Sequence, residues 1–288
     1  MDERVTTIGS TVLVTGASTG IGRATALRLA AAGWRVFAGV RRDADGRALA
    51  DASAGSLTPV ALDVTDPAQI AAAADSIADA VGGAGLAGLV NNAGIARGGP
   101  VEYLPVDDWR LQFEVNLFGQ VAVTQAMMPL LRDARGRIVF IGSNSGRIST
   151  PMMAPYGASK FAIEALAASM RLELRPWGMK VVVVEPGAVK TAIWDKGRAL
   201  ADELEAVMPA DAASRYGDQI AAIRKGIETQ DRTGIPADRV AAVVEKALTA
   251  DRPRARYQVG IDSHVSAAAS RVLPDRLLDV AVAKLAGP

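Results

Sequence analysis

The sequence predicts a doubly wound, mostly parallel α/β sheet of six or seven strands with helices on both faces. Three observations predict it. Short, nearly continuous runs of Val, Ile and Leu recur along the chain, the pattern of strands buried on both faces. Stretches of helical period separate these runs, and such alternation builds a parallel sheet. The first run passes directly into a glycine turn that opens a helix.

Taken in order, Thr11 to Thr15 (TVLVT) is the first strand. It runs into Gly16-Ala17-Ser18-Thr19-Gly20-Ile21-Gly22 and a helical pattern through Ala32, which Gly33 ends. Arg35 to Val40 is the second strand. Strand, glycine turn, helix, strand is the unit that sets a dinucleotide pyrophosphate on a helix N-terminus. The glycines allow the tight turn and a close approach of backbone to ligand. Sites for NAD carry a carboxylate near the end of the second strand, whereas arginine there meets the 2′-phosphate of NADP. Val40 is followed by Arg41 and Arg42, so NADP(H) is the expected cofactor. NAD(H) is the alternative if the two arginines only solvate a loop.

Leu57 to Leu62 is the third strand, ending at Asp63, and Asp66-Pro67 starts a helix to about Val81. Leu86 to Val90 is the fourth strand, followed by the small polar loop Asn91-Asn92-Ala93-Gly94, at the strand end where ligands bind in such sheets. Val106 to Leu131 reads as one long helix with Asn116 as a polar residue in an apolar stretch. Arg137 to Ile141 is the fifth strand, and Ser143 stands just past its carboxyl end. Pro155 and Pro176 bracket a helix from Tyr156 to Arg175. Lys180 to Val184 is the sixth strand. From 192 to 235 the chain is helical, charged and less regular. Pro236 to Ala250 is another helix, Tyr257 to Val259 a short edge strand, and Pro274 to Leu285 a last helix, read as core-facing; covering the site mouth or packing on a partner are the other options.

Tyr156 and Lys160 are four apart and share one helix face. A nearby ammonium favours the phenolate and lowers the phenol's pKa, so the pair can move protons at neutral pH. Read alone, it is also what an amphipathic surface helix carries.

Composition sets limits. The chain has 288 residues, half of them hydrophobic, and a formal net charge of +1, which gives no electrostatic argument for nucleic acid. There is no cysteine and one histidine, His264, so neither thiolate chemistry nor a histidine metal centre is expected. No apolar run reaches membrane-spanning length and no signal-peptide layout opens the chain, so a cytoplasmic protein without an integral membrane segment is expected.

Together these residues resemble the short-chain dehydrogenase/reductase family in its single-domain, Rossmann-type form, here spanning 1–288 with a variable substrate segment at 192–235 and a C-terminal helical extension at 262–288. Thr15-Gly16-x-x-x-Gly20-Ile21-Gly22, with Ser18 and Thr19 between, matches the family's cofactor motif. Asp63 and Val64 match the adenine contact, and Asn92-Ala93-Gly94 the motif beside the adenosine ribose. Pro186, Gly187, Val189 and Thr191 match the segment that holds the nicotinamide half. Asn116, Ser143, Tyr156 and Lys160 match the catalytic tetrad.

Within the family, Tyr156 to Leu166 and Val183 to Gly187 resemble the branch of retinol, hydroxysteroid and 3-hydroxybutyrate dehydrogenases. The resemblance implies hydride transfer between nicotinamide and a hydrophobic ketone or secondary alcohol, bulky or small. By the same analogy the substrate pocket is expected from Ile95, Ser145, Met152, Met153 and Trp194, and a homodimer or homotetramer is the expected assembly. An NAD-dependent alcohol dehydrogenase and a non-catalytic NADP-sensing regulator are the alternatives.

Overall fold

The computed structural model describes residues 9–53, 55–191, 202 and 208–286. Strands β1 (Thr11–Val14), β2 (Arg35–Val40), β3 (Leu57–Ala61), β4 (Gly88–Asn91), β5 (Arg137–Ile141), β6 (Lys180–Pro186) and β9 (Arg256–Val259) form one sheet in the order β3-β2-β1-β4-β5-β6-β9. Every pairing in it is parallel. A second, two-stranded sheet joins β7 (Val189–Lys190) to β8 (Ile235–Pro236).

Side chains alternate across the large sheet as the pleat requires. Val12, Val14, Val36, Val90, Val139, Val182 and Val184 enter one core layer, under α1 (Gly20–Ala31) and α8 (Ala237–Thr249). Leu13, Phe37, Leu89, Ile138, Phe140, Val181 and Val183 enter the other, under α3 (Pro67–Val81), α5 (Gly119–Asp133) and α6 (Ala154–Glu173). Burial on both faces explains why these strands read as continuous apolar runs.

The structure departs from expectation in four places. A helix α2 (Asp43–Ala52) follows β2; its acidic, glycine-containing sequence gives it only Gly46 and Leu49 as buried residues. The long helix expected over 106–131 is α4 (Val106–Phe113), one wide π turn (Glu114–Phe118) and then α5. The segment read as helical and irregular holds a helix where it is described, α7 (Ala210–Thr233), in agreement with that reading. The tail holds two helices, α9 (Ile261–Val272) and α10 (Asp275–Ala286), of which the sequence showed one. Helix α10 is not core-facing: Leu277 and Val280 are exposed, and Asp279, Val282 and Ala283 line a cleft of about 350 Å³ against Ser149–Pro151, just before α6.

The strand order reverses between β1 and β4. Their outgoing loops diverge there and leave the crevice in which such sheets bind ligands.

Candidate active site

Three glycines shape the first wall of that crevice. Gly16 and Gly20 have φ of +62° and +55°, a region L side chains avoid. A Cβ on Gly16 would stand 2.8 Å from Ala93 Cα, and one on Gly22 would collide with the Gly16 carbonyl and Asn92 Nδ2. Thr15 Oγ1 accepts from the Asn92 and Ala93 amides at 3.0 Å each, and Asn92 Nδ2 donates to the carbonyls of Thr15 (2.9 Å) and Gly16 (3.1 Å). The Asn92–Gly94 loop is thereby fastened to the glycine turn. Helix α1 begins after Thr19 with no side-chain cap and no acidic residue in its first turn. Its N–H groups suit an anion, so the site fits a dinucleotide pyrophosphate, and Ser18, Thr19, Ile21 and Gly22 stand at that helix start.

Arg41 and Arg42 are exposed at the end of β2. Arg42 is held by Asp45 through two hydrogen bonds of 2.8 and 2.9 Å, and this pairing raises its pKa. Asp63 Oδ1 accepts from Thr65 N (3.0 Å) and Oγ1 (2.8 Å), closing a local turn. Val64 is buried; its carbonyl and side chain lie where a Cβ on Gly119 would collide with them, so its own side chain serves packing.

The second wall is a ladder of four rungs. Asn91 Nδ2 donates to Thr124 Oγ1 (2.8 Å), and Gln120 Nε2 to Ala93 O (3.0 Å). Asn116 takes both backbone groups of Ile95, accepting from its N–H at 2.8 Å and donating to its carbonyl at 3.0 Å. Gln112 accepts from Arg97 N (2.7 Å) and donates to Ile95 O (2.9 Å). Alternate residues of the extended loop thus meet every fourth residue of the helix, and all four helix side chains are buried. Asn116 was expected on resemblance; Gln112, Gln120 and Thr124 were missed, although polar residues at four-residue spacing in an apolar helix were a readable signal.

The remaining wall carries Ser143, Tyr156 and Lys160. Ser143, buried past the end of β5, accepts from Ser145 N at 3.1 Å and donates to Asn144 Oδ1 at 3.1 Å. Burial pushes the Tyr156 phenol above its ordinary pKa, and a hydrogen bond with Ser143 opposes that rise. Lys160 is buried, and its Nζ donates to Ile141 O at 2.7 Å, 5.7 Å from the centre of the Tyr156 ring. Burial lowers its pKa to about 8, with the Glu164 carboxylate working against the fall. The electrostatics therefore differ from the expectation of a phenol drawn down by its lysine: desolvation dominates both groups. Ser159 ties this helix to the ladder, donating to Tyr156 O at 2.7 Å and accepting from Asn116 Nδ2 at 3.2 Å.

Ile95 meets Asn116 and Gln112 through its backbone, and Ser145 follows Ser143 in the turn after β5, both half-buried. Met152, at φ +65°, and Met153 close over the loop after Ile95: Gly99 N donates to Met152 O at 2.7 Å, and a Cβ on Gly98 would stand 2.9 Å from the Met153 sulfur. Strand β6 ends at Pro186, and Gly187 follows it. Val189 is buried in the core, and the Thr191 methyl would stand 3.0 Å from a Cβ on Gly20, beside the glycine turn. Trp194 lies outside the described residues. No group of three or more His, Cys, Asp or Glu residues able to hold a metal occurs among the described residues. No helix among them is long and apolar enough to cross a membrane.

Known proteins resemble this chain in sequence and in fold. The short chain dehydrogenase family matches residues 10–201. The NADPH-dependent 3-dehydrocapnine reductase of Ornithobacterium rhinotracheale is 35% identical over 93% of this chain and 94% of its own. The 17-beta-hydroxysteroid dehydrogenase type 6 of Bos taurus is 36% identical over 93% and 86%. Among solved structures, a short chain dehydrogenase/reductase of Burkholderia phymatum in complex with NAD superposes with a TM-score of 0.79 at 25% identity, covering 98% of this chain and 97% of that one. One from Burkholderia cenocepacia in complex with NADP gives 0.74 at 26%, covering 99% and 100%. The chain belongs to the short-chain dehydrogenase/reductase family and is an oxidoreductase.

Proposed function

We propose that the protein is an NADP(H)-dependent oxidoreductase that interconverts a hydrophobic ketone and its secondary alcohol, with Tyr156 as acid and base. The observation that carries this reading is Tyr156 one helical turn before the buried Lys160, with the Lys160 Nζ 5.7 Å from the centre of the Tyr156 ring. When bound, the nicotinamide supplies the hydride or takes it up. Tyr156 gives its phenolic proton to the nascent alkoxide oxygen in reduction and recovers it in oxidation. Ser143 donates to the same oxygen and stabilises its developing charge. Lys160 holds the nicotinamide ribose, and while protonated it favours the phenolate. Asn116 uses both amide hydrogens on Ile95 and Ser159, so a water linking Lys160 to solvent would rest on its remaining acceptors.

Gly16, Gly20, Gly22, Asn92, Ala93, Gly94, Pro186, Gly187, Val189 and Thr191 hold the cofactor in this reading, with Asp63 and the Val64 backbone at the adenine. Exposed Arg41 is the nearer candidate for a 2′-phosphate, since Arg42 is engaged with Asp45. That engagement also favours the second reading, an NAD-dependent alcohol dehydrogenase. The relatives named for 3-dehydrocapnine, hydroxysteroid and retinol support a lipophilic substrate. Large exposed side chains on the helices between Val106 and Glu173, among them Phe118 and Phe161, support a homo-oligomer formed through those helices.

The test is Tyr156→Phe. Turnover on a hydrophobic ketone falls by roughly 10²–10⁴-fold, the usual size of an acid–base contribution, while calorimetry still detects cofactor binding. Retained turnover refutes the role of Tyr156. Titration with NADPH and NADH separates the two cofactor readings, and binding of neither removes both.

A further inference from the structure

Helix α9 lies beyond the family-matched residues, yet its first turn is tied to the end of β6. Asp262 Oδ2 accepts from the Ala188 amide at 2.6 Å, and Ser263 Oγ, buried, donates to the Glu185 carbonyl at 2.7 Å. Gly187 N donates to Val259 O at 2.9 Å, at the end of β9. On the other side, Ile235 N donates to Ala188 O at 2.9 Å.

Two glycines make room for the one carboxylate. A Cβ on Gly187 would overlap Asp262 itself, and one on Gly260 would press on Asp262 Oδ1. Gly187 does not have a positive φ, so its missing side chain serves this contact and not an unusual backbone. Gly260, at φ +102°, turns the chain from β9 into α9 and brings Asp262 back over the loop.

We propose that Asp262 is a positioning residue that holds the Gly187–Ala188 peptide in the conformation that receives the nicotinamide half of the cofactor. This rests on the reading of Pro186–Thr191 as the nicotinamide-side segment. It also assigns a purpose to the C-terminal extension, which supports the loop from beyond the matched family segment. Because Ser263 anchors α9 by a separate bond, removing the Asp262 carboxylate releases the Ala188 amide without detaching the helix.

The experiment compares the full chain with Asp262→Ala and Asp262→Asn, reading binding of NADPH and of adenosine 2′,5′-bisphosphate by calorimetry, and Tm without ligand. Loss of one charge-assisted hydrogen bond predicts roughly tenfold weaker NADPH binding in Asp262→Ala. The bisphosphate, which has no nicotinamide half, binds as to the wild type, and Tm stays within about 2 °C. Asp262→Asn keeps an acceptor oxygen and restores most of the affinity. If the wild type prefers NADH, the same comparison uses NADH and AMP, which likewise has no nicotinamide half. Unchanged dinucleotide binding in Asp262→Ala overturns the proposal, as does equal weakening of the fragment, or an Asn variant as weak as Ala. If the wild type binds neither dinucleotide, the proposal and the cofactor reading beneath it fall together.

Discussion

Replacing Glu185 by Gln should destabilise the protein far more than the loss of a surface ion pair. Glu185 is fully buried on β6. Its carboxylate accepts from Arg147 Nη2 (2.8 Å) and Nε (3.1 Å) and from Gln258 Nε2 (3.2 Å), and lies 3.5 Å from Arg256 Nε. Arg256 in turn reaches Glu164 at 2.6 Å, and burial raises the pKa of Glu164. The amide introduced by Glu185→Gln would set an N–H donor against a guanidinium and leave Arg147, 16% exposed at the side chain, without its counter-charge. Breaking a buried pair by removing one partner costs about 3–5 kcal/mol. At about 2–4 °C per kcal/mol for a chain near this length, Tm falls by about 6–20 °C. Urea unfolding gives the free energy directly. The double variant Arg147→Met/Glu185→Met should be less destabilised than Glu185→Gln, because no charge is stranded. A loss below about 1 kcal/mol, the range of exposed pairs, would refute the reasoning and mean that water reaches the cluster.

Two further predictions concern the site. The Lys160 pKa lies at about 8 in the folded chain against its ordinary 10.5, so between these pH values the unfolded chain binds the extra proton and native stability rises with pH. Urea midpoints at pH 7.5 and 9.5 should therefore move in favour of the wild type relative to Lys160→Met; a pH-independent difference would refute this. Gly22→Ala should abolish cofactor binding and lower Tm, because the new methyl meets the Gly16 carbonyl and Asn92 Nδ2; binding within about tenfold of wild type would show that the turn yields.

The sheet was legible because its central strands are buried on both faces along almost their whole length and are dominated by apolar residues. Helix α2 was not: eight of its ten residues lie outside the core, and Leu49 is its one large apolar side chain. Helix α9 escaped for a similar reason, with Ser263 and Ala267 its only buried residues. The pairing of Tyr156 with Lys160 followed from their spacing, but their electrostatics did not. The Lys160 ammonium is met by the Ile141 carbonyl of a strand, and burial depends on the whole fold. The cluster of Arg147, Glu164, Glu185 and Arg256 draws on four separate elements, and nothing local in the sequence joins them.

The wide turn at Glu114–Phe118 sets the angular phase of the ladder. Gln112 and Thr124 are twelve residues apart, and regular α-helix turns about 100° per residue, so Thr124 would point about 120° away from Gln112. The π turn, closed by Gly119 N–H donating to the Glu114 carbonyl, takes up one residue without advancing the rotation. Twelve residues then turn like eleven, which is within about 20° of three whole turns. The irregularity is what lets one straight loop stay on one helix face over all four rungs. Shortening the chain by one residue inside 114–118 would keep the two ends in phase. The same deletion within 119–123 would leave the wide turn intact and swing Thr124 about 100° off the Asn91 side of the site.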